Sequence, residues 1–305
     1  MEKLRKLPVP LLPTMVGACT LSNIYASLGY IGVRHITMIA ASIIWLLFVI
    51  RTVTQWNVFK EEYSKTVPSS LYAGFTMIVM ILGSYYFEWF PIFGKILWFL
   101  GIILHAIHIV IFSYRNILRN FKKDTFVPSY FVTYNGIMVS AVVGKSMNEP
   151  ELVKWIVYYG ICIFTILIPF MVYRLISTPI KEEFYHTQAI LLAPSSLCLV
   201  SYLGISENGN GFIVGYLYLA VLLALIFILY KLPKFFSFDF KPGFAGMTFP
   251  MAIGTLASIN MAKFLIAKGF KVGLIIQELA GIQIYITTGI IFFVLLRFYM
   301  WMREV

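Results

Sequence analysis

Long apolar runs broken by short polar steps follow one another from end to end of the chain. A helix needs about 20 mostly apolar residues to cross a bilayer core, with roughly 17–25 tolerated. On that rule the sequence predicts ten spans. Five fall in the first half, at residues 10–29, 33–57, 69–87, 92–115 and 128–144. Five more follow at residues 151–176, 188–204, 211–231, 242–262 and 273–302. The connections are short throughout, so residues 1–305 read as one transmembrane domain without a soluble module.

The spans divide into two chemical sets. Pro13, Pro68, Pro128, Pro194 and Pro250 lie at or near the start of the odd-numbered spans, at spacings of 55, 60, 66 and 56 residues. Ser, Thr and Asn number 20 in the odd spans and 9 in the longer even ones. The eighth span is the extreme case, with no Ser, Thr, Asn, Pro or charge from Phe212 to Tyr230. A helix apolar on every side belongs against lipid, while polar and helix-breaking residues belong against protein or water. Each repeating unit is therefore a helical hairpin, with its odd helix inside and its even helix outside. Five parallel inner helices of equal rank close most simply into a ring. The expected fold is an all-α polytopic membrane protein, ten helices arranged as five hairpins in a quasi-five-fold ring around a central pore.

Composition supports the membrane reading and excludes others. Of 305 residues, 60% are apolar and only 12% charged, about half the roughly 25% usual in soluble domains. That excludes a water-soluble enzyme, a disordered chain and a disulfide scaffold. The net charge of +11 comes from loop lysines and arginines without interleaved aromatics, so no nucleic-acid partner is expected. With the N-terminus inside, 17 Lys/Arg fall on the cytoplasmic side and 7 on the other. The positive-inside rule then places both termini in the cytoplasm of a plasma-membrane protein. No cleavable signal is expected, since Pro8, Pro10 and Pro13 interrupt the first apolar run.

Candidate chemistry is sparse. No Asp, Glu, Lys or Arg falls within any odd span; Glu88 and Lys263 lie just beyond two of them. Proton-coupled carriers keep ionisable groups at membrane depth, and cation pores use carboxylate rings or aligned carbonyls. The prolines either kink helices for packing, or start half-helices whose partly positive ends face a permeating anion. His105 and His108 share one helix face, but His35 and His186 lie near span ends, so interhelical hydrogen bonds are expected rather than a metal or cofactor. Glu278, in the tenth span, has three open readings: a bond to Gln277 or Gln283, an interface, or proton coupling. Lys263, Lys268 and Lys271 either concentrate anions at a pore mouth or are simply solvated. Cys19, Cys162 and Cys198 have no pairing pattern and read as small buried hydrophobes.

Several segments carry a family likeness. The first span has Leu7-Pro8-Val9-Pro10, Gly17 and Leu21-Ser22-Asn23; the fifth begins Pro128-Ser129-Tyr130-Phe131 and runs through Thr133-Tyr134-Asn135-Gly136. The seventh contains Ala193-Pro194-Ser195-Ser196, and the ninth Thr248-Phe249-Pro250-Met251. Together they resemble the tellurite-resistance/dicarboxylate transporter family, which includes bacterial TehA proteins and the plant guard-cell slow anion channel. The resemblance implies a homotrimer in the lipid bilayer, with one pore per subunit and Phe249 as the gate. Ser22 stands where glycine is commoner, and Asn135 where an apolar residue is. Asn135 and Thr248 are candidate pore polar groups, although Asn135 has an equal alternative in bonding a neighbouring helix. The expected function is passive passage of small inorganic anions such as chloride and nitrate. A proton-coupled carrier of a C4-dicarboxylate or tellurite-type oxyanion is the alternative, and a histidine-based membrane redox enzyme is a third reading.

Overall fold

The computed structural model describes residues 2–206 and 208–304. Met1, Glu207 and Val305 lie outside the described residues, as do the side chains of Glu2, Lys3 and Glu304. Lys3, one of the 17 Lys/Arg counted on the cytoplasmic side, is among them. The chain is 86% helix, and there is no strand among the described residues.

We number the longer helical segments in order. In the first half these are α1 (Leu11–Ser27), α2 (Ile31–Thr54), α3 (Thr66–Phe87, with a turn at Tyr72), α4 (Pro91–Ser113, followed by a π-turn at Tyr114–Arg119) and α5 (Tyr130–Asn135 and Val139–Val143, joined by a 3-10 turn). In the second half they are α6 (Pro150–Ser177), α7 (Leu192–Ile205), α8 (Gly211–Phe235), α9 (Thr248–Ala267) and α10 (Val272–Glu304). Stretches of 3-10 helix lead into α7 (Glu182–Leu191) and α9 (Pro242–Met247).

Among the described residues, eight helices, counted with these lead-ins, are long and apolar enough to cross a membrane. Two of the ten expected spans are not among these eight: α1, at the short limit of a crossing helix, and α5. Helix α1 has only 17 residues, and α5 is broken at Gly136. Glycine is a weak helix former, and here its missing side chain makes room for a neighbour. A Cβ on Gly136 would lie 2.7 Å from the His105 ring.

The prolines are helix starts, not kinks. Pro13, Pro68, Pro194 and Pro250 are each the third residue of their α-helix. Within the α-helix proper, a first-turn N–H has no partner four residues back, so the missing donor costs no α-helical bond; in α7 and α9 the residues leading into the α-helix are already 3-10 helix. Pro128 sits two residues before the first α-helical turn of α5.

Burial separates the odd and even segments. In α3, and in α7 and α9 with their lead-ins, 61–83% of the most apolar stretch is buried, against 22–33% in α2, α4, α6, α8 and α10. Every residue of α1 from Leu11 to Ser22 is buried. A long apolar helix buried along only one stripe presents the rest to lipid. Helix α1 packs on α3 and α9, α3 on α5, α5 on α7, and α7 on α9, while each even segment lies against the odd one before it. Glycines permit the closest approaches: a Cβ on Gly74 of α3 would stand 2.8 Å from the backbone nitrogen of Pro13 in α1.

Polar side chains close the two ends of the bundle separately. At one end Arg51, buried to 1% exposure, forks onto Glu62 (2.9 and 2.6 Å) and donates to the Leu4 carbonyl (3.1 Å). It also donates to the Tyr72 hydroxyl, which in turn donates to Glu62. A guanidinium taken out of water must keep its donors occupied, and here the Glu62 carboxylate, the Leu4 carbonyl and the Tyr72 hydroxyl take them. The same end carries Arg174 on the Lys123 carbonyl and the Lys181–Asp124 and Lys241–Glu182 pairs. The opposite end is tied by Arg34–Glu88, Lys95–Glu149 and the Lys268–Asn208 hydrogen bond.

Candidate functional site

Phe249 is the second residue of α9, at the point where 3-10 helix gives way to α-helix. Three features fix its backbone. The Thr248 hydroxyl donates back to the Ala245 carbonyl at 2.7 Å. Pro250 sets the next dihedral angle. Across from it, α1 presents Gly17, where any Cβ would stand 2.6 Å from Phe249 N and 2.8 Å from Thr248 C. Phe249 is 5% exposed.

Phe249 lines a cavity of about 530 Å³ to which all five odd segments contribute. Thr20 and Asn23 come from α1, Ile81 and Ser84 from α3, Val139 and Val142 from α5, Leu197 from α7, and Ile253 and Leu256 from α9. The walls are thus largely apolar, with a few hydroxyl and amide groups among them. That composition suits a weakly held ligand, because nothing in the wall binds strongly.

The charged residues lining the cavity are Arg34 and Lys145, both cations. Arg34, at the start of α2, is held in a fork by Glu88 (3.0 and 2.5 Å), by the Asn23 side-chain carbonyl (2.9 Å) and by the Tyr85 ring face. Lys145 sits in the 3-10 turn after α5 and has no ion pair among the described residues. A cleft lined by one sign of charge within low-dielectric walls concentrates the opposite ion. No charge falls within the odd helices themselves; the two cations come from the start of α2 and the turn after α5, and line the cavity from there. Helix ends contribute less than expected in α1, whose Leu11, Leu12 and Thr14 amides already donate to the Pro8, Val9 and Pro10 carbonyls.

The other candidates fall elsewhere. Asn135 is buried in α5, and its amide donates to the Gly160 carbonyl of α6 at 2.9 Å; it is not among the cavity-lining residues. Thr248 is buried and does not line the cavity, with its hydroxyl engaged as described. Of the five prolines, Pro13 touches α3 at Gly74, and none lines the cavity. His105 bridges Thr76 (2.6 Å) and the Thr133 carbonyl (2.8 Å), and His108 bridges Tyr63 (2.6 Å) and the Thr133 hydroxyl (3.1 Å). Both rings thus use both nitrogens: His105 joins α3, α4 and α5, and His108 ties α4 to α5 and to the short helix Trp56–Ser64 before α3; no group of three metal-ligating side chains occurs among the described residues. Lys263, Lys268 and Lys271 do not line the cavity, and Glu278 is exposed on the flank of α10. Cys19 and Cys198 are buried as expected, but Cys162 is exposed on α6.

Arg34, Lys145 and the role of Gly17 were not legible in advance. Arg34 and Lys145 stand at span ends, where a loop position and a cavity position look alike in sequence. Gly17 lies among many glycines, and only the neighbouring backbone shows its importance.

A family model described as SLAC1, voltage-dependent anion channel, matches residues 8–299, nearly the whole chain. No curated protein sequence matches.

Proposed function

Because the chain belongs to the SLAC1 family of voltage-dependent anion channels, we propose that it passes small inorganic anions, such as chloride and nitrate, passively through a pore in each protomer. In this reading ten segments form five hairpins, and α1, α3, α5, α7 and α9 surround the pore. The protein assembles as a homotrimer in the plasma membrane with both termini cytoplasmic. The observation that carries the reading is the 530 Å³ cavity lined by all five odd segments, with Phe249 against it and only cations among its charged residues.

The physical sequence of events follows from that geometry. Arg34 and Lys145 raise the local anion concentration in the cavity. The Asn23 amide N–H groups and the Ser84 hydroxyl replace part of the hydration shell. The anion then meets the apolar wall residues, where the Phe249 ring excludes water and blocks passage until it rotates aside. No carboxylate lines the cavity, which favours passive flow over proton coupling.

Replacing Phe249 by Leu and then Ala tests the gate. Stripping water from an ion costs several kcal/mol, and relief of about 3 kcal/mol corresponds to roughly 100-fold more current. Anion current in planar bilayers is expected to rise as the side chain shrinks. Parent-level current in a correctly folded Phe249→Ala protein would refute the gate.

A further inference from the structure

At the end of the bundle that holds Arg51 and the N-terminal residues lies a second cavity, of about 790 Å³, sharing no lining residue with the first. It opens between the start of α3, the π-turn after α4, the segment leading to α5, and the 3-10 lead-in to α7. Lys65, Arg115, Arg119 and Lys122 line it, with Glu183 the one carboxylate.

The pocket has a rigid floor and unspent charge. Asn116 is buried beneath it; its amide donates to the Phe112 carbonyl (3.1 Å) and its oxygen accepts from Thr66 (2.9 Å). Arg115 is held by the Tyr63 carbonyl (3.0 Å) and ring, and Lys65 pairs with Glu61 (2.9 Å). Arg119 and Lys122 have no side-chain partner among the described residues. The helix widens into a π-turn over Tyr114–Arg119, a distortion frequent at functional sites. It brings two arginines to one pocket, and the guanidinium fork matches phosphate oxygens. The volume lies within the ~300–1,000 Å³ of small-molecule sites, far more than a chloride ion fills.

We propose that this pocket binds a phosphate-bearing anion with at least two negative charges, a phosphomonoester or diphosphate, through Arg115, Arg119 and Lys122. The site stands independently of the permeation reading. Because Arg119 is exposed at the end of an outer helix, the phosphate can belong to a lipid headgroup or to a soluble molecule. The chemistry of recognition is the same for both.

The test uses the full chain in nanodiscs of zwitterionic lipid, with inorganic pyrophosphate followed by calorimetry and a fluorescent phosphatylated inositol lipid followed by anisotropy. Arg119→Gln/Lys122→Gln is compared with Lys263→Gln/Lys268→Gln, which removes equal charge at the opposite end. Pyrophosphate binding is expected to weaken roughly tenfold for each cation removed from the pocket, and to stay near the parent value in the control pair. Tighter binding of the lipid than of pyrophosphate assigns the site to a headgroup; the reverse order assigns it to a soluble phosphate. Equal weakening in both double variants, unchanged binding in the pocket variant, or no binding of either probe overturns the proposal. The pocket residues replaced are exposed, and matching melting temperatures verify folding.

Discussion

Replacing Gly17 by Ala puts one methyl group between α1 and the start of α9. Its carbon would stand 2.6 Å from Phe249 N and 2.8 Å from Thr248 C, where carbon contacts normally settle at about 3.5–4.0 Å. Both neighbours are backbone atoms, so no side-chain rotation relieves the overlap, and the two segments must part by roughly 1 Å. Overpacking of this kind costs about 1–3 kcal/mol. Ala also gains up to about 1 kcal/mol over Gly as a helix former, which would mask part of the loss. Gly215→Ala on α8 supplies the control, since nothing lies within 4 Å of its added carbon. The difference between the two variants, about 1–3 kcal/mol, isolates the contact. Thermal unfolding in detergent should place Gly17→Ala below Gly215→Ala, with the latter at or above the parent. Bilayer recording should show more current in Gly17→Ala, because the segment displaced is the one that carries the ring. Equal melting of the two variants, together with parent-level current, would refute the view that this approach positions Phe249.

Other residues give further tests. Arg34→Gln removes one of the two cavity cations and should lower anion conductance most at low ionic strength, where screening is weak; Glu88→Gln should raise it, with little effect on stability because Glu88 is 46% exposed. Arg51→Met leaves Glu62 and Tyr72 without their common donor. Breaking a fully buried pair costs about 3–5 kcal/mol, and the lower end is expected because Glu62 is 26% exposed; the melting temperature measures it. Asn135→Ala gives up one interhelical bond, worth about 0.6 kcal/mol in membrane proteins, and should leave the order of anion permeabilities unchanged. A reordered series would mean that Asn135 meets the permeating ion.

Much of the architecture was readable because the bilayer imposes a strong constraint. Segment length, the polar content of alternate spans and the recurring prolines all anticipated the sharp contrast in burial between odd and even segments. Backbone detail was less accessible. Pro194 and Pro250 could have kinked long helices or begun shorter ones, and only the 3-10 lead-ins at Glu182–Leu191 and Pro242–Met247 decide for helix starts. Likewise, the break in α5 depends on His105 filling the space beside Gly136, a contact between residues 31 apart in sequence. Phe249 stood out among 27 phenylalanines only through family resemblance. Its place against a cavity shared by five segments is a property of the packed chain. The cavity cations had no sequence signal of their own, because Arg34 and Lys145 differ from ordinary rim charges only in the direction the fold gives them.

The most direct test of an anion path gated at Phe249 is the reversal potential of Phe249→Ala under a tenfold chloride gradient with symmetrical pH. An anion-selective pore should reverse close to the chloride equilibrium potential, about 59 mV from zero, and should not shift when a pH gradient is added. A potential that follows the cation gradient, or one that moves with pH, would contradict passive anion flow through this cavity.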